Sequence, residues 1–185
     1  DVTYICGEIE IAKKHNLLTM VDNTFMSPVL QRPLELGADI VLHSATKYLG
    51  GHNDIIAGAV VVNDETLAEK IRFAQVAIGA LLSPFDSWLL LRSMKTLKLR
   101  VEKAQANTLK LLNFLKTHPE VEKVYYPTDT QNKGKAIQER QASGGGSVFS
   151  FTVKTEAKAK KFFESLKVAL FAVSLGGVET LVTHP

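Results

Sequence analysis

Three short, unbroken apolar runs set among helix-forming sequence restrict this chain more than any other feature. Leu17–Val21 ends in Asp22-Asn23-Thr24, Ile40-Val41-Leu42 comes next, and Ala57–Val62 is the third. Strands that are apolar throughout belong in a sheet covered on both faces, the habit of parallel α/β structure. Residues 3–15 place Ile5, Ile9 and Ala12 on one face with charges opposite, which predicts an amphipathic helix. Pro33–Leu36 predicts a short helix stopped by Gly37. Helices alternating with apolar strands give an α/β sheet, with strand order and direction left open.

Further along, Asp64 caps a predicted helix reaching Ile78, whose apolar stripe is Leu67, Ile71, Ala74 and Ile78. Ser83-Pro84-Phe85-Asp86 is a stronger helix start: a capping hydroxyl, a proline at the first helical position and an acid three residues on. From Phe85 onward no glycine or proline interrupts the chain until Pro119. That permits a helix of up to ~34 residues, about 50 Å long, with room for a break partway. Such a rod would carry the chain between domains, with residues 1–91 in one and 92–185 in the other. The second half predicts strands at Val121–Tyr126, Ser147–Val153 and Val168–Val173. Its predicted helices are Asn132–Gln141 and Glu156–Leu166, with a glycine-rich turn at Ser143–Gly146. This is the pattern of a small α+β domain.

Composition excludes several classes. With 45% hydrophobic and 22% charged residues the chain is neither disordered nor a disulfide scaffold. The net charge of +3 is interspersed, and the basic run Lys154–Lys161 reads as a solvated helix face, so no nucleic-acid partner is expected. The single cysteine, Cys6, cannot form an internal disulfide and suits a reducing cytoplasm. No apolar run reaches the roughly 18 residues of a membrane span.

Two features sit just outside strand ends, where α/β sheets place ligands. Asp22 comes directly after the first apolar strand, and a carboxylate there faces a cleft or a cation, since burial without a partner is expensive. Ser44-Ala45-Thr46-Lys47 comes after the second. Two hydroxyls at i and i+2 can reach one phosphate, helped by free backbone N–H groups, and Gly50-Gly51 permits close backbone approach. Partial burial beside the sheet would keep part of the Lys47 amine neutral and hence nucleophilic. Phosphate hydroxyls, a lysine and a separate carboxylate together match the needs of pyridoxal 5′-phosphate (PLP), if the two strand ends are neighbours.

Blander readings compete. Ser-x-Thr-Lys is a common string, and Asp22 could be a turn cap. His43 and His52 have no third metal ligand at a suitable spacing, and no metal is expected. Neither Gly-x-x-x-x-Gly-Lys-Ser/Thr nor Gly-x-Gly-x-x-Gly is present.

Longer strings narrow the choice. Val21-Asp22-Asn23-Thr24-Phe25, Gln31-Arg32-Pro33-Leu34, Gly37-Ala38-Asp39-Ile40, Ser44-Ala45-Thr46-Lys47-Tyr48 and Gly51-His52-Asn53-Asp54 resemble the Cys/Met-metabolism family of PLP enzymes. Leu82-Ser83-Pro84, Arg92 with Lys95-Thr96-Leu97, and Ser174-Leu175-Gly176-Gly177-Val178-Glu179-Thr180 extend the likeness along the chain. The resemblance implies part of a fold type I large domain plus a small C-terminal domain. It implies that Lys47 is the Schiff-base lysine, that Asp22 meets the pyridine nitrogen and that Ser44 and Thr46 bind the phosphate. Ser174 and Leu175 would line the substrate carboxylate site.

The implied activity is carbon–sulfur cleavage of a sulfur-containing amino acid, with cystathionine β-lyase ranked ahead of γ-lyase, methionine γ-lyase and γ-synthase. A cytoplasmic homo-oligomer, a dimer of dimers in full-length form, is the implied assembly. Family enzymes are longer, carrying an N-terminal arm, a phosphate loop, a ring-stacking aromatic and a distal arginine that have no counterpart here. The chain is therefore expected to be a fragment, inactive alone; a non-catalytic assembly module is the alternative from another class.

Overall fold

The computed structural model describes residues 2–184. Helix α1 (Ile5–Lys14) buries Ile5 and Ile9 on the predicted face, against Ala38, Val21 and Leu36. Strand β1 (Met20–Asp22) begins later than predicted. Leu17 instead ends α1: its N–H bonds back to the Ala12 carbonyl across Asn16, whose φ is 53°. The four-residue helix α2 (Ser27–Leu30) was not predicted; the Asn23 amide donates to the Ser27 and Gln31 carbonyls at 3.2 and 2.8 Å and shapes this segment. The helix predicted at Pro33–Leu36 is instead a run of turns with i→i−3 bonds.

Strands β2 (Ile40–Ser44) and β3 (Gly58–Val62) complete a sheet of order β1-β2-β3. β1 runs parallel to β2, with Asp22 opposite Leu42, and β3 runs antiparallel, with Gly58 opposite Ser44. The C-terminal ends of β1 and β2 and the start of β3 thus share one edge. Residues 45–57 form a loop whose two ends are tied together there.

Asp64 caps α3 (Glu65–Ile78) through the Leu67 N–H at 2.6 Å, and Ser83 caps α4 (Pro84–Met94) through the Asp86 N–H at 3.1 Å, both as predicted. The long helix is broken. α4 stops at Met94 and α5 (Leu97–Thr117) begins after Thr96, whose φ and ψ of −106° and 3° are not helical. The Ser93 carbonyl accepts from the Thr96 hydroxyl at 3.1 Å and from the Arg100 guanidinium at 3.0 Å, while Arg100 Nε donates to the same hydroxyl at 3.0 Å. The carbonyl keeps a turn-type bond from the Thr96 N–H at 3.2 Å, and these side chains take the place of the next helical donor.

α5 does carry the chain from one core to another. Its start supplies Leu97 and Val101 to a cluster with Leu30, Ala45, Tyr48 and Leu49, and its end supplies Leu112 and Leu115 to a cluster with Val124 and Tyr126. The second cluster lies under β4 (Val121–Tyr125) and β5 (Ser150–Val153), an antiparallel pair. Helices α6 (Lys135–Gln141) and α7 (Glu156–Glu164) flank β5 in sequence. The last predicted strand shrinks to β6 (Leu170–Phe171), which pairs in parallel with an unpredicted β7 (Leu181–Val182).

Much apolar surface is open. A folded monomer of this mass exposes about 8,800 Å², whereas this chain of 20.3 kDa exposes 12382 Å². No residue of α3 is buried, and Phe73, Phe85, Trp88 and Leu91 are more than half exposed. An excess of this kind is what a further protein surface would cover.

Tyr126 offers a test of the second core. Its hydroxyl donates to the Gly146 carbonyl at 2.8 Å, and burial pushes the phenol pKa up from 10 to about 12. The unfolded phenol ionises first, so this stabilisation is complete below pH 10 and is lost as pH rises through 12. Tyr126→Phe should cost about 1 kcal/mol at pH 8 by leaving that carbonyl unpaired. In urea unfolding the variant should also lose less stability than wild type between pH 8 and pH 11; an equal loss would refute the assignment.

Candidate active site

The site begins at the shared sheet edge. Asp22 Oδ1 accepts from the Thr24 N–H at 2.9 Å and from the Thr24 hydroxyl at 2.6 Å, the geometry of an Asx turn. Thr24 Oγ1 in turn accepts from the Ser44 N–H at 2.8 Å. One hydroxyl therefore fastens the carboxylate at the last residue of β1 to the backbone at the last residue of β2, and the parallel pairing makes the two strand ends neighbours. Asp22 Oδ2 and the Ser44 hydroxyl take no hydrogen bond from any described residue.

The turn after β2 differs from expectation in its backbone. The N–H groups of Ser44, Thr46 and Lys47 are not free: they donate to Thr24 Oγ1, the Ala57 carbonyl and the Ser44 carbonyl. The antiparallel return of β3 brings Ala57 back to this point and takes one of the three, the Thr46 N–H. The Ser44 and Thr46 hydroxyls remain for an anion, beside the Ala45 N–H, which meets no acceptor among the described residues. The Thr46 hydroxyl accepts from the Ala57 N–H at 3.0 Å, and its proton reaches only a weak acceptor, the Ala57 carbonyl at 3.3 Å. Ala45, Tyr48 and Leu49 are buried, so the residues on both sides of Lys47 are seated in the first core while its side chain lines a cleft.

Lys47 Nζ donates to Ser174 Oγ at 2.9 Å. Among the described residues no carboxylate pairs with this amine. The segment bearing Ser174 lies directly on the lysine turn. Gly176 has φ +81°, and a Cβ there would lie 2.5 Å from Tyr48 N and 2.8 Å from the Lys47 carbonyl carbon, so only glycine allows this approach. Asn53 Nδ2 donates to Glu179 Oε2 at 2.7 Å, and Leu175 packs against the first core. On the other flank, the Tyr48 hydroxyl meets Ser147 Oγ at 2.6 Å, and burial raises the phenol pKa.

Asp22, Lys47, Ser174 and Leu175 all line one open cleft. Ser44 and Thr46 stand at the turn leading into Lys47. Four of the six sequence-derived candidates thus share the cleft, while Ser44 and Thr46 do not line it and are tied to it only through the turn. Burial lowers the His43 pKa, opposed by the Asp22 charge, so this imidazole is neutral at pH 7. His52 is turned to the Gly50 carbonyl at 2.8 Å. Among the described residues no three or more His, Cys, Asp or Glu side chains converge on a metal position.

The donor set fits PLP. A free carboxylate oxygen suits a pyridinium N–H, hydroxyls with uncommitted or weakly committed protons suit a phosphate, and an amine without a carboxylate partner suits an aldehyde. Sequence reading overlooked Thr24, Arg100, Asn53 and Glu179. Thr24 had a legible signal, since Asp-x-Thr is an Asx-turn spacing. The others reach the site across 51 to 126 positions, contacts that no local string announces.

Comparison with known proteins gives the site a family. The chain is 53% identical over 175 residues to the cystathionine gamma-synthase/O-acetylhomoserine (thiol)-lyase of Bacillus subtilis (strain 168), covering 95% of this chain and 43% of that protein. It is 52% identical to the cystathionine beta-lyase of Lactococcus lactis subsp. cremoris (strain MG1363), covering 95% of this chain and 46% of the relative. The chain thus spans less than half the length of these curated relatives. Among solved structures, cystathionine gamma-lyase from Lactobacillus plantarum complexed with L-serine superposes with a TM-score of 0.96 at 46% identity, over 99% of this chain and 48% of that one. That likeness supports an α/β, fold type I architecture. The profile of the family described as Cys/Met metabolism PLP-dependent enzyme matches residues 1–185, and the chain belongs to that family.

Proposed function

We propose that the protein carrying this chain is a PLP-dependent carbon–sulfur lyase that cleaves cystathionine at the β carbon, with water, to homocysteine, pyruvate and ammonia. The observation that carries this reading is the convergence of Lys47, Ser174 and a carboxylate with one free oxygen, Asp22, in a single cleft. In this reading residues 1–91 hold the cofactor side of the site and 92–185 the remainder. The protein works in the cytoplasm as a homo-oligomer, and the uncovered apolar surface supports such assembly. No described helix is long and apolar enough to cross a membrane.

When bound, PLP supplies an electron sink for the pair released at the substrate α carbon. The chain's own groups have distinct tasks. Asp22 Oδ2 would hold the ring nitrogen of the cofactor, while Thr24 holds Oδ1 and so fixes the plane of the carboxylate. The Ser44 and Thr46 hydroxyls would hydrogen-bond its phosphate. Lys47 Nζ would hold the cofactor and is the base available to take the substrate α-proton. The Ser174 hydroxyl, already 2.9 Å from Nζ, gives the freed amine a resting partner. Ser174 and Leu175 border the substrate carboxylate.

A second reading is favoured by the 53% identity to a γ-synthase/thiol-lyase: replacement at the γ carbon of an acylated homoserine. Products separate the readings. Cystathionine yielding pyruvate supports β-cleavage, 2-oxobutyrate indicates γ-cleavage, and cystathionine formed from cysteine and an O-acylhomoserine indicates γ-synthesis. Lys47→Ala should abolish the visible absorbance band that PLP gives with the wild-type protein; a band that persists would remove Lys47 from its role. Thr24→Val deletes the hydroxyl between Asp22 and Ser44 and should weaken PLP binding about ten-fold, close to 1.4 kcal/mol, in an absorbance titration. Unchanged affinity would show that the relay does not orient the carboxylate.

A further inference from the structure

We infer that Arg100 is the positioning residue of Lys47, setting the place of its amine by clamping the main chain of the turn just beyond it. This rests on Lys47 being the cofactor lysine. Arg100 Nη1 donates to the Tyr48 carbonyl at 2.7 Å, and Nη2 reaches the Leu49 carbonyl at 3.4 Å as well as the Ser93 carbonyl at 3.0 Å. Nε is held by Thr96 Oγ1. One planar fork thus joins the first two peptides after Lys47 to the break between α4 and α5. Lysine, a point donor on a flexible stem, cannot match three separated acceptors at once.

Two independent features show that the turn is built around this guanidinium. Gly51 has φ +74°, and a Cβ there would overlap Arg100 Nη1 and Cζ, so the turn admits the clamp only because that residue has no side chain. Among the described residues Arg100 also has no carboxylate partner. Burial pulls its pKa down, the expected cost of a cation satisfied by carbonyl and hydroxyl oxygens alone. A surface arginine placed for solubility would bear neither cost. The acceptors it meets are the ones that fix the rotation of the Lys47–Tyr48–Leu49 backbone, and hence the direction in which Lys47 leaves it for Ser174.

The test uses the intact protein carrying this chain in wild-type, R100M, R100K and G51A forms. R100M removes the donors, R100K keeps the charge without the fork, and G51A keeps Arg100 but wedges it away. Two readouts are taken: hydrogen exchange of the Gly50 and Gly51 amides, bonded to the Ala45 and Lys47 carbonyls, and the share of borohydride-trapped PLP found on Lys47 rather than on other lysines. All three variants should exchange those amides ~10-fold faster while Val41–His43 in β2 stay protected, and Lys47's share should fall about five-fold as the amine loses its placement.

R100K behaving as wild type would show that charge alone suffices and would overturn the inference. G51A behaving as wild type, or β2 amides loosening in parallel, would overturn it equally. If the wild-type protein shows no preference for Lys47, the cofactor reading fails, while the exchange arm still decides whether Arg100 holds the turn.

Discussion

The Thr24 hydroxyl is the joint on which the site depends. It donates to the Asp22 carboxylate and accepts the Ser44 N–H, so two strand ends that are merely adjacent become fixed relative to one another. A carboxylate at a strand end would otherwise swing, and a hydroxyl two residues beyond the next strand would adopt its own turn. The hydroxyl can act in both directions because it carries one donor and two acceptor sites. Parallel pairing supplies the proximity, and the short Asx turn supplies the orientation.

The lysine is placed by a different kind of constraint. Its turn is closed at the base by β3, seated below by Ala45, Tyr48 and Leu49, and covered by the glycine-bearing segment after Ser174. Close packing around the turn leaves the Nζ end facing the cleft, where it meets Ser174 Oγ. The hydrogen bonds that close the base take up the Thr46 amide, while those of Ser44 and Lys47 go to Thr24 and Ser44, so little of the backbone at this turn is left to donate.

How much of this was legible in the sequence depends on the range of each interaction. Caps at Asp64 and Ser83 are local chemistry, and they formed where the strings placed them. The continuous apolar runs at 40–42 and 57–62 marked strands correctly, but only β2 is largely buried as such a composition implies; Val60 and Val61 of β3 stay exposed. The runs at 17–21 and 168–173 were only partly strand, since helix termination claimed Leu17 and only Leu170 and Phe171 found a partner strand. Periodicity alone could not show that Ser93 gives its carbonyl to side chains at 96 and 100 and so breaks the long helix. The chemistry of Asp22 and of the Ser44–Lys47 turn was readable, whereas the tie of Asp22 to Ser44 through Thr24 required the sheet.

Lys47 and its hydroxyl partner Ser174 are separated by 127 positions, and that distance bears on how each molecule is made. A contact of such separation closes late, because the loop entropy must be met before the bond contributes. During synthesis the strands on both sides of the lysine are complete while Ser174 has not yet left the ribosome. The contact between the Lys47 amine and Ser174 can therefore form only after the Ser174 segment has been made and has reached the lysine turn.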